Sequence, residues 1–416
     1  MTTETETATI GRRAALALGG AAAVAGATSG TALAAPKEVE IAMLVPLSGP
    51  WAEQGILERY GALMAVDDVN KAGGIKSLGG AKLKLLIFDT GSTAETAKNA
   101  AQRMLSQNPN LVGGMGCWLS TFTLAATEVT ERAKLPWLTL SYSDAITDRG
   151  FHYVFQTSPT ANAQAEQIVP ILMKLAQATT GKRPTKVAII GDNTAASVSF
   201  LKPIKSHILK DEKLTAVVEK IYTPPLSDAT TLVQPVRSAR PDFVLLLSTN
   251  GGDDKILADT FSEYGMPGSK MPLIGNGGHW AVPELLKTTG ANILQDIMIG
   301  LANWPGKDLD ALAARYVKQT GQAWFGHNEI FAYAHVQILA WALNKAGVAS
   351  REKVADEIRT MNITDGPAIF FPGHHLQFDS KGRRVDAQLV VVQWQNGRPV
   401  TVFPEDMAVG KAIWAT

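Results

Sequence analysis

Ile41-Ala42-Met43-Leu44-Val45-Pro46-Leu47-Ser48-Gly49-Pro50 is the stretch on which the fold turns. Five apolar residues in a row, stopped by a proline- and glycine-bearing turn, read as a strand buried on both faces. Residues 58–71 then place Ala62, Ala65, Val66 and Val69 at helical spacing and stop at Gly73-Gly74. The alternation continues outward. Strands are predicted at 83–88, 111–114 (running into a glycine turn) and 137–140, with helices at 93–107 and 121–133 between them. After Thr160 the pattern restarts, with helices at 163–178, 199–210, 229–239 and 254–264 and strands at 186–190, 216–222, 243–247 and 272–275. Strict strand–helix alternation implies parallel sheets covered by helices, and two series of similar length imply two α/β lobes. Near the end, 389–394 and 400–403 read as two strands joined by Gln395-Asn396-Gly397-Arg398, a hairpin signal.

The whole chain has 416 residues, with 39 Lys+Arg against 38 Asp+Glu. A net charge of +1 argues against a nucleic-acid-binding protein, which carries a basic surplus. With 46% hydrophobic and 19% charged residues the chain can build buried cores. A single cysteine, Cys117, excludes an intramolecular disulfide and a multi-thiolate zinc site. Residues 1–35 do not read as fold. Arg12-Arg13 precede a weakly apolar, Ala- and Gly-rich run, and Ala32-Leu33-Ala34 has the small-x-small form of a cleavage site. This resembles a twin-arginine export signal cleaved near Ala34-Ala35. No later stretch suits a membrane span, so the mature chain is expected to be a soluble periplasmic protein without membrane insertion.

Motifs for catalysis are missing. There is no G-x-S-x-G, no G-x-G-x-x-G after the first strand, no Walker sequence and no H-E-x-x-H. His374 and His375 are adjacent and would face opposite ways on a strand. No enzyme activity, metal or cofactor is expected. A binding site is better supported, because ligands of open parallel sheets lie beyond the carboxyl ends of the strands. Those ends carry Trp51, Trp118, Ser120, Thr121, Ser141 and Ser143 in the first series and Asn250, Asn276, Gly277, His279 and Trp280 in the second. A hydroxyl beside a helix N-terminus helps hold a carboxylate, although Ser120 and Ser143 also suit simple capping. The three tryptophans at strand ends suggest a pocket that stacks a planar or apolar ligand, although each also suits a core.

Several segments together carry a family resemblance: Leu44 through Pro50, Gly61-Ala62, and Asp68-Val69-Asn70-Lys71-Ala72-Gly73-Gly74-Ile75. Residues 116–126, 136–143, 149–151, 155–157 and 228–246 continue it, as does Tyr333-Ala334. The chain resembles the type I periplasmic solute-binding proteins of the branched-chain amino acid and amide class, which feed ABC transporters. The resemblance implies a Venus flytrap: two α/β lobes joined by three crossing segments, near Thr160, Leu301 and Lys381. Lobe one would be 36–160 plus 302–380, and lobe two 161–301 plus 381–416. It also implies a monomer that closes on a small carboxylate or amide and docks on an ABC permease. Carried over, the carboxylate site falls on Ser120, Ser141 and Ser143.

Two departures bear on the ligand. Amino-acid binders of this family place an acidic residue in lobe two, where this chain reads Asn276-Gly277-Gly278-His279-Trp280, and their lobe-two tyrosine is replaced around Ala195-Ala196. A buried ammonium without a carboxylate is costly. The expected ligand is therefore an aromatic or branched apolar acid, or an amide, rather than an α-amino acid. A true branched-chain amino acid binder, an exported ligand sensor and a hydrolase built on Ser120 are the alternatives. Some members pair a cysteine at the Cys117 position with one near Ser92; that partner is absent here.

Overall fold

The computed structural model describes residues 36–415, so the export-signal expectation lies outside the described residues. Strand β1 (Glu38–Val45) leads into helix α1 (Ala52–Lys71), followed by β2 (Lys82–Asp89), α2 (Ala94–Gln107), β3 (Gly113–Gly116), α3 (Ser120–Arg132), β4 (Trp137–Thr139) and β5 (Val154–Gln156). These strands form one parallel sheet in the order β2-β1-β3-β4-β5. Residues 41–45 are wholly buried, as an apolar run without alternation requires.

Helix α4 (Ala161–Thr180) begins the second series with β6 (Lys186–Asp192), α5 (Ala195–Pro203), β7 (Thr215–Tyr222) and β8 (Phe243–Leu247). The Gly251–Glu263 helix, β9 (Leu273–Asn276) and β10 (Met298–Leu301) follow. A short antiparallel pair, β11 (Asn362–Ile363) and β12 (Leu376–Gln377), precedes the final hairpin β13 (Val390–Gln395) and β14 (Arg398–Phe403). The second sheet runs β14-β13-β10-β9-β8-β6-β7. The hairpin joins it antiparallel at β10, and its turn places Asn396 and Gly397 both at positive φ, which Asn-Gly tolerates. Apolar cores cover both faces of this sheet, with Trp280 and Trp394 on one side and Phe200 and Trp414 on the other.

Two boundaries depart from the sequence reading. Helix α1 begins at Ala52 rather than at 58, because its first turns bury Gln54 and Gly55, which carry no apolar signal. Strand β3 occupies 113–116 rather than 111–114, with glycine at three of its four positions. A Cβ on Gly114 would stand 2.4 Å from the Trp137 ring, so the indole packs directly against bare backbone there. The His327–Ala346 helix, buried along most of its length, packs on α1 so closely that a Cβ on Gly61 would meet the Glu329 carbonyl oxygen at 2.1 Å.

The chain leaves the first sheet after β5 and leaves the second after β10. It makes its last passage between Arg384, whose N–H donates to Gln156 O at 2.9 Å, and β13. That passage falls a few residues beyond Lys381 because residues 382–384 still extend the first sheet at β5.

Candidate functional site

At the first sheet, β3 ends beneath the N-terminus of α3. Ser120 Oγ accepts N–H bonds from Tyr142 at 3.1 Å and Ser143 at 3.0 Å, tying α3 to the segment after β4. Both of those partners are backbone amides. Ser141 Oγ donates to Trp118 O at 2.6 Å, and Cys117 N–H donates to Thr123 Oγ1 at 3.0 Å. The first turn of α3 has amides without intrahelical partners and the positive end of the helix dipole. An acceptor group is therefore favoured beside Ser120.

At the second sheet, the loop after β9 carries His279. Its Nδ1 lies 2.6 Å from Asp254 Oδ2, and Ser248 Oγ donates to Asp254 Oδ1 at 2.5 Å. Both members of the pair are buried, the imidazole 3% exposed and the carboxyl 0%. Burial pushes the Asp254 carboxyl above its ordinary range, while the His279 and Ser248 contacts pull the other way. Trp280 Nε1 donates to Ser248 Oγ at 3.0 Å.

The two sides enclose a cavity of about 40 Å³. That is room for a few ordered water molecules as the lobes stand. The lobes touch beside the cavity: the Trp118 and His279 rings meet edge-on at 6.0 Å, and Ser143 Oγ lies 2.9 Å from Ser199 Oγ of α5. Leu57 of α1 also packs into the core of the second sheet.

Of the residues singled out in the sequence, Trp118, Ser120, Ser141, Asn276, Gly277 and His279 line this cavity. Five do not. Ser143 is the lobe-bridging hydroxyl just described. Asn250 caps the Gly251–Glu263 helix, its Oδ1 accepting from Asp253 N–H at 2.9 Å. Thr121 lies in the first turn of α3, half-buried. Trp51 packs edge-on against Phe122 at 5.4 Å. Trp280 is wholly buried in the second core, against Gly275, where a Cβ would be 2.5 Å from the ring. The expectation of three tryptophans facing one pocket is thus corrected to one, Trp118. A residue two or three places past a strand end points inward or outward according to its loop, which its position alone does not reveal.

The sequence reading missed Tyr142, Phe200 and Ser248 in the lining, and Asp254 behind it. Residues 276–280 carry no carboxylate, as read, but a different one, Asp254, comes from the helix after β8 and bonds His279 at the cavity wall. Asp253-Asp254, in the first turn of the helix that Asn250 caps, was the available signal. Behind Tyr142, His327 Nδ1 donates to Asn303 O at 3.0 Å, so Nε2 accepts from the Tyr142 hydroxyl at 2.9 Å. Burial holds this imidazole at about 4, uncharged at neutral pH. Cys117 is free and wholly buried.

Comparisons with known proteins fit this geometry. A family model described as periplasmic binding protein matches residues 38–399. Leu/Ile/Val-binding protein homolog 7 of Brucella suis is 27% identical over 409 residues, covering 95% of this chain and 98% of that protein. Homolog 8 of Brucella melitensis is 28% identical over 410 residues, covering 93% and 97%. Among solved structures, the branched-chain amino acid binding protein LivJ of Streptococcus pneumoniae, in complex with isoleucine, superposes with a TM-score of 0.74 at 18% identity, covering 88% of this chain and all of that one. A solute-binding protein of an ABC transporter from R. palustris, in complex with benzoate, has a TM-score of 0.74 at 16% identity, covering 91% and 99%.

Proposed function

Since the chain belongs to the periplasmic binding protein family, we propose that it is the extracytoplasmic binding component of an ABC importer for a small apolar carboxylate, aromatic or branched. The observation that carries this reading is the α3 N-terminus with Ser120, facing the Asp254–His279 pair across a cavity with Trp118, Leu140 and Phe200 in its walls. The helix end suits an anionic group and the apolar walls suit a hydrocarbon body. The neighbours crystallised with isoleucine and with benzoate support it, because both ligands join a carboxylate to an apolar body.

In this reading residues 1–35 export the chain and the three passages between sheets act as hinges. The ligand binds the Ser120 side in the open state, and closure brings His279 onto it. A ligand favours closure only by its preference for the closed state. At micromolar affinity the binding free energy totals about 8 kcal/mol, enough to drive a modest closing cost. The closed form then docks on a permease. The position of Asp254 favours one second reading, a true branched-chain amino acid binder, since a carboxylate one imidazole away can stabilise an ammonium.

A thermal-shift screen tests the proposal, using benzoate, 3,4-dihydroxybenzoate, leucine, isoleucine and the amides of these acids. At least one free acid is expected to raise Tm in a concentration-dependent way. A panel in which no acid or amide moves Tm would sink the reading.

A further inference from the structure

The cavity wall contributed by the second sheet is the end of a buried hydrogen-bonded column whose direction is fixed from within. An indole N–H can only donate, so Ser248 Oγ accepts from Trp280 Nε1 and its own proton goes to Asp254 Oδ1. With Asp254 ionised, the remaining carboxylate oxygen, Oδ2, accepts from His279 Nδ1 at 2.6 Å. In the neutral ring the proton is therefore on Nδ1, and Nε2 is a lone pair. Among the described residues no protein atom bonds Nε2, while the ring lines the cavity. Asn276 Oδ1, on the same wall, is buried and also has no hydrogen-bond partner among the described residues. The groups that face His279 from neighbouring elements are Asp254, with Asp253 beside it, and His327, which is spent on Asn303 O and the Tyr142 hydroxyl. The second sheet therefore offers the cavity one acceptor, His279 Nε2, with one carboxylate behind it.

We infer that His279 Nε2, held as an acceptor by Asp254, recognises an N–H or O–H donor on the ligand, which carries its carboxylate at the Ser120 end and this donor at the other. The inference rests on the carboxylate reading of the site. A hydroxyl and an ammonium both supply the donor, and matched acids tell them apart. His279 touches the ligand; Asp254 is a positioning residue that sets which ring nitrogen carries the proton.

The test is isothermal calorimetry on the purified protein with two matched pairs: 4-hydroxybenzoate against benzoate, and leucine against 4-methylpentanoate. In at least one pair the donor-bearing acid is expected to bind about tenfold tighter or more, as a site built to pair a polar group rejects an analogue lacking it. That ratio is expected to fall to about one in His279→Leu. It is also expected to fall in Asp254→Asn, where the variant's amide N–H donates to Nδ1 and moves the ring proton to Nε2. The ring 15N shifts of His279 report that tautomer change, which a merely structural role would not produce. If the variants fail to fold, the wild-type ratios and the wild-type tautomer decide. Ratios of about one in both pairs, a ratio that survives His279→Leu, or a wild-type ring protonated on Nε2 alone would overturn the inference. Failure of all four acids to bind would overturn the carboxylate reading, and the inference with it.

Discussion

Glu329 is the residue at which the packing of the first lobe can be tested most sharply. It sits where α1 and the His327–Ala346 helix meet at Gly61, 2% exposed, with Glu58 on the facing helix 1% exposed. Glu329 Oε1 accepts one bond, from the Tyr316 hydroxyl at 3.2 Å, and Glu58 Oε1 has none among the described residues. Burial pushes the Glu329 carboxyl to about 7, against an ordinary 4.5, and pushes Glu58 up as well, helped by Glu329 itself. A raised carboxyl pKa means that the folded state holds its proton more tightly. The stabilisation is full below about pH 4.5 and is lost as pH rises through about 7. At about 1.4 kcal/mol per pH unit, ionising Glu329 costs the fold about 3 kcal/mol by pH 8. Gln keeps the size and removes the charge. Glu329→Gln is therefore expected to match the wild type within about 1 kcal/mol at pH 4.5 and to exceed it by up to about 3 kcal/mol at pH 8. Urea unfolding of both proteins from pH 4.5 to pH 8 measures this; groups away from Glu329 cancel in the difference, and relief of Glu58 adds to it in the same direction. A stability difference that stays constant with pH, or a variant weaker than the wild type at pH 8, would refute the reasoning.

Other outcomes follow from the same structure. Burial, with Glu58 nearby, raises the Cys117 thiol well above its ordinary range, so Ellman's reagent should find no reactive thiol in native protein and one in denaturant; rapid native labelling would contradict this. Trp280→Ala should lower stability by about 3–5 kcal/mol, as large core truncations do. Trp118→Ala should weaken acid binding more than it weakens the fold. Urea unfolding beside calorimetry separates the two, and equal effects of both variants on binding would show that the assignment of Trp280 to the core is wrong.

Much of the fold was legible because both sheets are mostly parallel and buried. Runs such as 41–45 and 243–247 announce themselves by apolarity alone, and Asn396-Gly397 announces the hairpin. Strand β3 was displaced because glycine, which ordinarily signals a turn, is here demanded by the Trp137 ring. The His327–Ala346 helix went unread because burial on nearly all sides erases an amphipathic stripe. Half of the site was legible for a local reason: Ser120 and Ser141 lie within four residues of a strand end. The other half depends on tertiary placement. Asp254 and His279 are 25 residues apart, and only the β8–β9 neighbourhood brings their side chains together. Nothing in a tryptophan's position near a strand end says whether it faces cavity or core, which is why Trp118 and Trp280 looked alike.

The central claim is that a small acid is held between lobes that close upon it, and the Ser143–Ser199 contact offers the most direct measurement. Those hydroxyls stand 2.9 Å apart across the lobes, and the one native thiol, Cys117, is buried. In the double variant Ser143→Cys with Ser199→Cys, an acid that raises Tm should accelerate disulfide formation. Protein oxidised without ligand should then fail to bind that acid in calorimetry, because lobes locked together bar its entry, and reduction should restore binding. An oxidised protein that binds the acid as tightly as the reduced one would contradict the account.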